Sequence, residues 1–375
     1  MKIIKNFILI LVSTAFSLIL VEIALRIFTK YPIYPNSSNM LQDTNFGFKM
    51  NNDLEEIDKL GFRNVDGKYN KYQLAAIGDS HTYGNGVINK DAWPYQLEEN
   101  IGLPIYNYGN SGNGIYSYHY LAKDALSKNK KIIIGLYLPN DFAYKDYACL
   151  IDFNNSFWKK EVNKLNLNNP LECDSLKHVK TKMDFVRLAI IKSAVISITY
   201  DLVWKTFKTN KNRIYIEINE HLPPMETELL EGFMKLTDLK NPKISLVFSD
   251  FKKIVNDWKK SSDEGSIGII LIPSAQAVYL NALEKLDMKA NSKSKIEFYT
   301  QNELLLEKLV LNFLQELNIP TLSVKKNLVE NFIKDHLSDN TLIFYPDNSH
   351  PIRAGHQAYA KTAKEVYLKM KAISK

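Results

Sequence analysis

Residues 72–87 read YQLAAIGDSHTYGNGV. The apolar run over 71–77 has the length and composition of a buried strand, and it stops at Gly78. Asp79, Ser80 and His81 follow at once, with two further glycines at 84 and 86. A strand that gives way so abruptly to a polar, glycine-rich turn puts its first polar side chains at the carboxyl end of a sheet. Three uses fit such a turn: a nucleophilic serine, a phosphate-cradling loop, or a plain entry into a helix. A phosphate loop needs a Gly-rich run leading into Lys and then Ser or Thr, and no lysine stands there. The Gly-x-Ser-x-Gly elbow of the other large serine-hydrolase architecture is absent too.

Outward from this stretch the chain alternates. Residues 92–101 and 116–129 have helical spacing, 104–109 reads as a short strand, and KIIIGLYL at 131–138 is the continuous apolar run of a strand covered on both faces. After Tyr144 the rhythm breaks, and residues 145–240 read as a largely helical insertion. Within it, 184–207 is apolar but broken by Asp184, Arg187, Lys192, Asp201 and Lys205, which favours a buried or interfacial helix over a second membrane span. The pattern resumes with a strand at 266–273, a helix at 297–318, a strand at 319–324 and a closing helix at 350–370. Strands separated by helices of this length predict βαβ units and a parallel sheet.

The 375 residues accommodate one large α/β domain with insertions, and a formal charge of +7 spread among acidic residues gives no basic stripe for nucleic acid. From Phe7 to Phe28 the chain is almost wholly apolar, with Glu22 its only charge before Arg26. About 20 such residues span a bilayer. Lys2 and Lys5 favour a cytoplasmic N-terminus, and no small-residue cleavage site follows. Residues 1–30 are therefore expected to be an uncleaved signal anchor, Glu22 to reach the membrane interface, and residues 31–70 to be a membrane-proximal linker with short strands. The rest of the chain would lie outside the cytoplasm. Cys149 and Cys173 form no metal-binding pattern; one disulfide or two thiols both fit. No HExxH or carboxylate ladder appears, so neither metal nor cofactor is expected.

Four segments fall at strand ends or just before the closing helix: GDSH (78–81), NYGNSGNG (107–114), LPND (138–141) and DNSHP (347–351). Each supplies a part of acyl transfer. A serine hydroxyl such as Ser80 needs an imidazole to take its proton, and the imidazole needs a carboxylate to fix its tautomer. Asp347 and His350, three residues apart, provide both. The oxyanion would be held by the N–H of Ser80, an N–H of the turn around Gly112 and the amide of Asn140. His81 and Asp79 are the candidates for additional contact with substrate, although Asp79 reads better as a loop-orienting group. His356 reads as packing or surface. Tyr106, Tyr108, Tyr116 and Tyr118 read chiefly as core or cleft lining.

In this order the four segments resemble the blocks of the SGNH (GDSL-type) hydrolase superfamily. Ser80 matches the nucleophile, Gly112 the second-block glycine, Asn140 the third-block asparagine, and Asp347 and His350 the acid and base. NFGFKMNND and KLGFRN ahead of the serine are similar to the lead-in of membrane-anchored bacterial members. The resemblance covers about residues 42–370 and implies a flavodoxin-like three-layer α/β/α fold. It also implies a serine esterase, most plausibly a carbohydrate deacetylase acting on envelope or exported polysaccharide. An O-acetyltransferase using the same residues, and a catalytically idle glycan-binding protein, are the alternatives. Two positions depart from the pattern: His81 stands where leucine is common, and Leu138 stands at the glycine position of the third block.

Overall fold

The computed structural model describes residues 2–28, 40–43, 47–50, 56–128, 130–142, 156–167, 193, 195–196, 198–199, 215–216, 225–226, 237–285, 293–336, 343–345 and 350–374. Asp347, Cys149, Cys173 and most of the 145–240 insertion lie outside them. The chain divides into two compact units, one of residues 1–40 with 174–213, the other of 41–173 with 214–375.

The larger unit is built on a five-stranded parallel sheet. Its strands are β1 (Leu74–Gly78), β2 (Ile105–Asn107), β3 (Lys131–Tyr137), β4 (Ile267–Ile272) and β5 (Thr321–Ser323). They run in the order β2-β1-β3-β4-β5, all parallel. This is the doubly wound order of flavodoxin-like sheets, in which the order reverses between β1 and β3 and a crevice opens beyond their carboxyl ends. In register, Leu74 faces Lys131 and Gly78 faces Gly135.

Every residue of β1 and β4 is buried, which explains the unbroken apolar runs. Alternate side chains feed two cores. Ala75, Ile77, Ile132, Ile134, Ile269 and Leu271 pack with helices Ile115–Ser127, Pro242–Lys260 and Lys293–Glu316. Leu74, Ala76, Ile133, Ile270 and Ile272 pack with helices Trp93–Ile101, Ala275–Lys285 and Arg353–Ile373. Full burial of each Leu or Ile contributes about 1.5–3 kcal/mol. The three-layer α/β/α expectation is met in this unit.

Helix Pro242–Lys260 is a regular crossover covering the sheet between β3 and β4, so the insertion ends where this helix starts. Asn241 caps it, its side chain accepting from Lys243 N at 3.1 Å, and Pro242 occupies the first turn. In the expected linker, Met40–Asp43 and Gly47–Met50 form a two-stranded sheet.

In the smaller unit, Lys2–Phe28 is a single helix of 27 residues. Phe16, Leu18, Ile19, Leu20, Val21 and Ile23 are all exposed on it, so the described apolar surface runs around the helix rather than along one stripe. Among the described residues no helix is long and apolar enough to cross a membrane. Within this unit the Glu22 carboxylate accepts from Ser193 Oγ at 2.8 Å and Val195 N at 3.0 Å, next to the helical residues 195–196 and 198–199.

Candidate active site

The turn after β1 is fixed by its own polar groups. Asp79 caps the four-residue helical turn Ser80–Tyr83, its Oδ1 accepting from His81 N at 2.9 Å. Gly84, at φ 90°, closes the turn with its N–H on Ser80 O. Two glycines let this turn fold back over the sheet: a Cβ on Gly78 or Gly135 would meet Thr82 Oγ1 at 2.0 or 2.7 Å. The 107–114 loop docks on the same turn. Asn110 N donates to Gly78 O at 3.2 Å, and Gly112 takes φ 84°, a conformation glycine adopts without strain.

His350 arrives from the far end of the chain. Tyr345 N donates to His350 O at 3.0 Å and Ile352 N to Ile343 O at 3.0 Å, so 343–345 and 350–352 pair back to back. The hydroxyl of buried Tyr279 accepts from Ile343 N and Phe344 N at 3.0 and 3.2 Å, bracing that pairing on helix Ala275–Lys285. His350 Nε2 then lies 2.8 Å from Ser80 Oγ. Ser80 Oγ is also 3.4 Å from Asp79 Oδ2. With the ring proton on Nδ1, His350 Nε2 accepts from Ser80 Oγ across the shorter of the two contacts. Burial pushes His350 down, to about 4, so at neutral pH the ring is uncharged and able to accept.

Asp79 is fully buried, and burial pushes its carboxyl up to about 7 against hydrogen bonds from His81 N–H, the Ser80 hydroxyl and the Asn140 amide. That last bond brings Asn140, half-buried in the turn Leu138–Asp141, to within one side chain of Ser80. Leu138 is fully buried in the core. Asp141 is structural: its Oδ2 accepts from Tyr137 N at 2.7 Å and Tyr118 Oη at 2.8 Å.

Among the sequence candidates, Ser80 and His350 are in direct contact, Asn140 reaches them through Asp79, and Gly112 sits on the adjoining loop. Asp347 lies outside the described residues. His81 and Asp79 are fully buried, which leaves them no surface for a substrate and corrects that expectation. His81 packs against His350 instead, its ring centroid 4.9 Å from that of His350 and 3.9 Å from that of Tyr137. Its Nδ1 meets Tyr359 Oη at 3.2 Å, a partner no motif announces. His356 is fully buried packing, and Tyr106, Tyr108, Tyr116 and Tyr118 are core.

One cluster outside the site has a metal-like composition: His119, Glu161 and Asp257. Trp258 Nε1 donates to His119 Nδ1 at 3.0 Å, which leaves the ring proton on Nε2, 2.9 Å from Glu161 Oε2. Lys123 and Lys164 lie 2.8 and 2.7 Å from Asp257. These ammonium groups already neutralise Asp257, and the arrangement is an ion-pair network joining three helices.

No family model matches this chain, and no curated protein matches it. Solved structures similar to it include a protein of the G-D-S-L family from Desulfitobacterium hafniense (14% identity, TM-score 0.34, covering 78% of this chain and 98% of that one). Another is a member of the lipolytic protein G-D-S-L family from Veillonella parvula (11%, 0.33, 79% and 97%). A third is LAE5, an alpha/beta hydrolase enzyme from the metagenome of Lake Arreo, Spain (12%, 0.33, 80% and 96%).

Proposed function

We propose that this chain is a serine ester hydrolase of the SGNH type that works through an acyl-serine intermediate. The carrying observation is the 2.8 Å contact between His350 Nε2 and Ser80 Oγ at the switch point of a doubly wound sheet. Ser80 Oγ attacks the ester carbonyl as His350 Nε2 takes its proton. The oxyanion is held by the N–H groups of Ser80 and Gly112 and by the Asn140 amide; one such donor is worth about 100- to 1,000-fold in rate. The C–O bond to the alcohol breaks as His350 returns the proton to the leaving oxygen. Water, deprotonated by the same ring, then attacks the acyl-serine and releases the acid. Asp347 holds the ring's Nδ1 proton in this scheme.

The substrate class is an O-acylated, most simply O-acetylated, polysaccharide of the cell envelope. Support comes from the N-terminal helix, on which Phe16, Leu18, Ile19, Leu20, Val21 and Ile23 are exposed; an apolar surface of this kind would tether the chain at the extracytoplasmic membrane face, where exported glycans pass. The test uses the full chain in detergent with an O-acetylated glycan. Acetate release that is abolished by Ser80→Ala supports the reading. Transfer of acetate only to an added sugar acceptor would make the enzyme a transferase, and glycan binding with no turnover would make it an idle binding protein.

A further inference from the structure

The sequence treats residues 56–64 as linker, yet they reach into the site. Arg63 is buried, with 8% of its surface exposed. Its Nη1 donates to Gly84 O at 2.8 Å and Tyr83 O at 3.3 Å, its Nη2 to Val87 O at 2.8 Å and Glu56 Oε2 at 2.7 Å, and its Nε to Glu56 Oε2 at 3.1 Å. Those five bonds use all five donors of the guanidinium. The carbonyls concerned lie at the end of the Ser80 turn and just beyond it, and Gly84 O also accepts from Val87 N at 3.3 Å. Gly86 O, a further carbonyl of this loop, accepts from Tyr345 Oη at 2.7 Å, and Tyr345 N donates to His350 O at 3.0 Å. One short loop, 83–87, is thus gripped by Arg63 on one side and by the His350-bearing pairing on the other.

We propose that Arg63 is a positioning residue for acyl transfer: through loop 83–87 it sets the register between Ser80 and His350. A guanidinium suits this because three carbonyls and a carboxylate are held at once by a rigid fork of five donors, whereas an ammonium is a single point of three. Asn64 extends the bracket to the second catalytic loop. Its Nδ2 donates to Asn107 O at 3.0 Å and its Oδ1 accepts from Asn107 N at 2.9 Å, continuing the edge of β2. The inference rests on the reading of Ser80 and His350 as nucleophile and base.

The test compares wild type, Arg63→Gln, Arg63→Lys and Tyr345→Phe, all as full chain in detergent. It measures the rate of Ser80 labelling by a fluorophosphonate, kcat and KM on p-nitrophenyl acetate, and Tm. A misplacement on the order of 1 Å costs about 100-fold, so Arg63→Gln is expected to lower kcat and labelling by ~10- to 100-fold with KM within about twofold. Arg63→Lys keeps the charge and fails to restore the rate. Tyr345→Phe, which deletes one exposed hydroxyl, lowers both rates by about threefold or more with Tm unchanged. A folded Arg63→Gln that labels at the wild-type rate overturns the proposal. If neither Arg63 variant folds, Tyr345→Phe decides it, and unchanged labelling there overturns it. Folded wild type that does not label at Ser80 removes the hydrolase reading itself, a different failure from wild type labelling and the variants matching it.

Discussion

Gly109 offers the sharpest test of how the 107–114 loop packs on the Ser80 turn. It lies in the 107–114 loop, and a Cβ built on it would stand 2.2 Å from Tyr83 N and 2.5 Å from Thr82 C. Both are backbone atoms of the Ser80 turn, so no rotamer change can relieve the clash. Ordinary contact near 3.4 Å requires the two loops to part by roughly 1 Å. The core beneath resists, because Thr82 is itself wedged against Gly78 and Gly135. Gly109→Ala is therefore expected to cost about 1–3 kcal/mol in stability, as overpacking does, and roughly 100-fold in kcat/KM, because the 107–114 loop, which carries the proposed Gly112 donor, moves away from the Ser80 turn. Urea denaturation and hydrolysis of p-nitrophenyl acetate measure the two effects separately. An alanine variant with wild-type stability and rate would refute the packing, and with it the placing of the second loop against the nucleophile turn.

Further outcomes follow from burial. The pKa of His350 is depressed by burial, to about 4, and only the uncharged ring accepts the Ser80 proton. kcat/KM should therefore hold as pH falls through 6.5 and decline only below it; a midpoint at or above 6.5 contradicts this. Replacing His350 with Ala should lower kcat by about 10,000-fold or more, measured with the same ester. Glu303 is fully buried, accepts from Ser274 N at 2.7 Å, and is raised to about 7 by burial. A raised carboxyl contributes stability that is complete below its unfolded value near 4.5 and is lost as pH rises through about 7. Glu303→Gln should gain stability relative to wild type above pH 7, read from Tm against pH, and no change in the difference would contradict the buried, protonated state.

What the sequence discloses follows the physics of each residue. KIIIGLY at 131–137 is legible because a strand buried on both faces must be apolar throughout. Helix Pro242–Lys260 carried its signal in the Asn241-Pro242 start but lay beyond a stretch without strand rhythm, and Ala275–Lys285 has apolar residues on most of its surface, which blurs helical period. The contact between Ser80 and His350 spans 270 positions; no local pattern encodes it, and only the order of the four segments implied it. His81 was ambiguous because its neighbour's role says nothing about which way a short turn points its second side chain. Arg63 was invisible for a different reason: three of its five bonds go to backbone carbonyls, which leave no trace in residue identity.

The nucleophile itself is tested most directly by mass-spectrometric mapping of the full chain after exposure to a fluorophosphonate, with folding checked by Tm. The account predicts one adduct, on the hydroxyl of Ser80, that forms far more slowly in His350→Ala. A folded chain left unmodified at Ser80, or ester hydrolysis that survives Ser80→Ala, would contradict it.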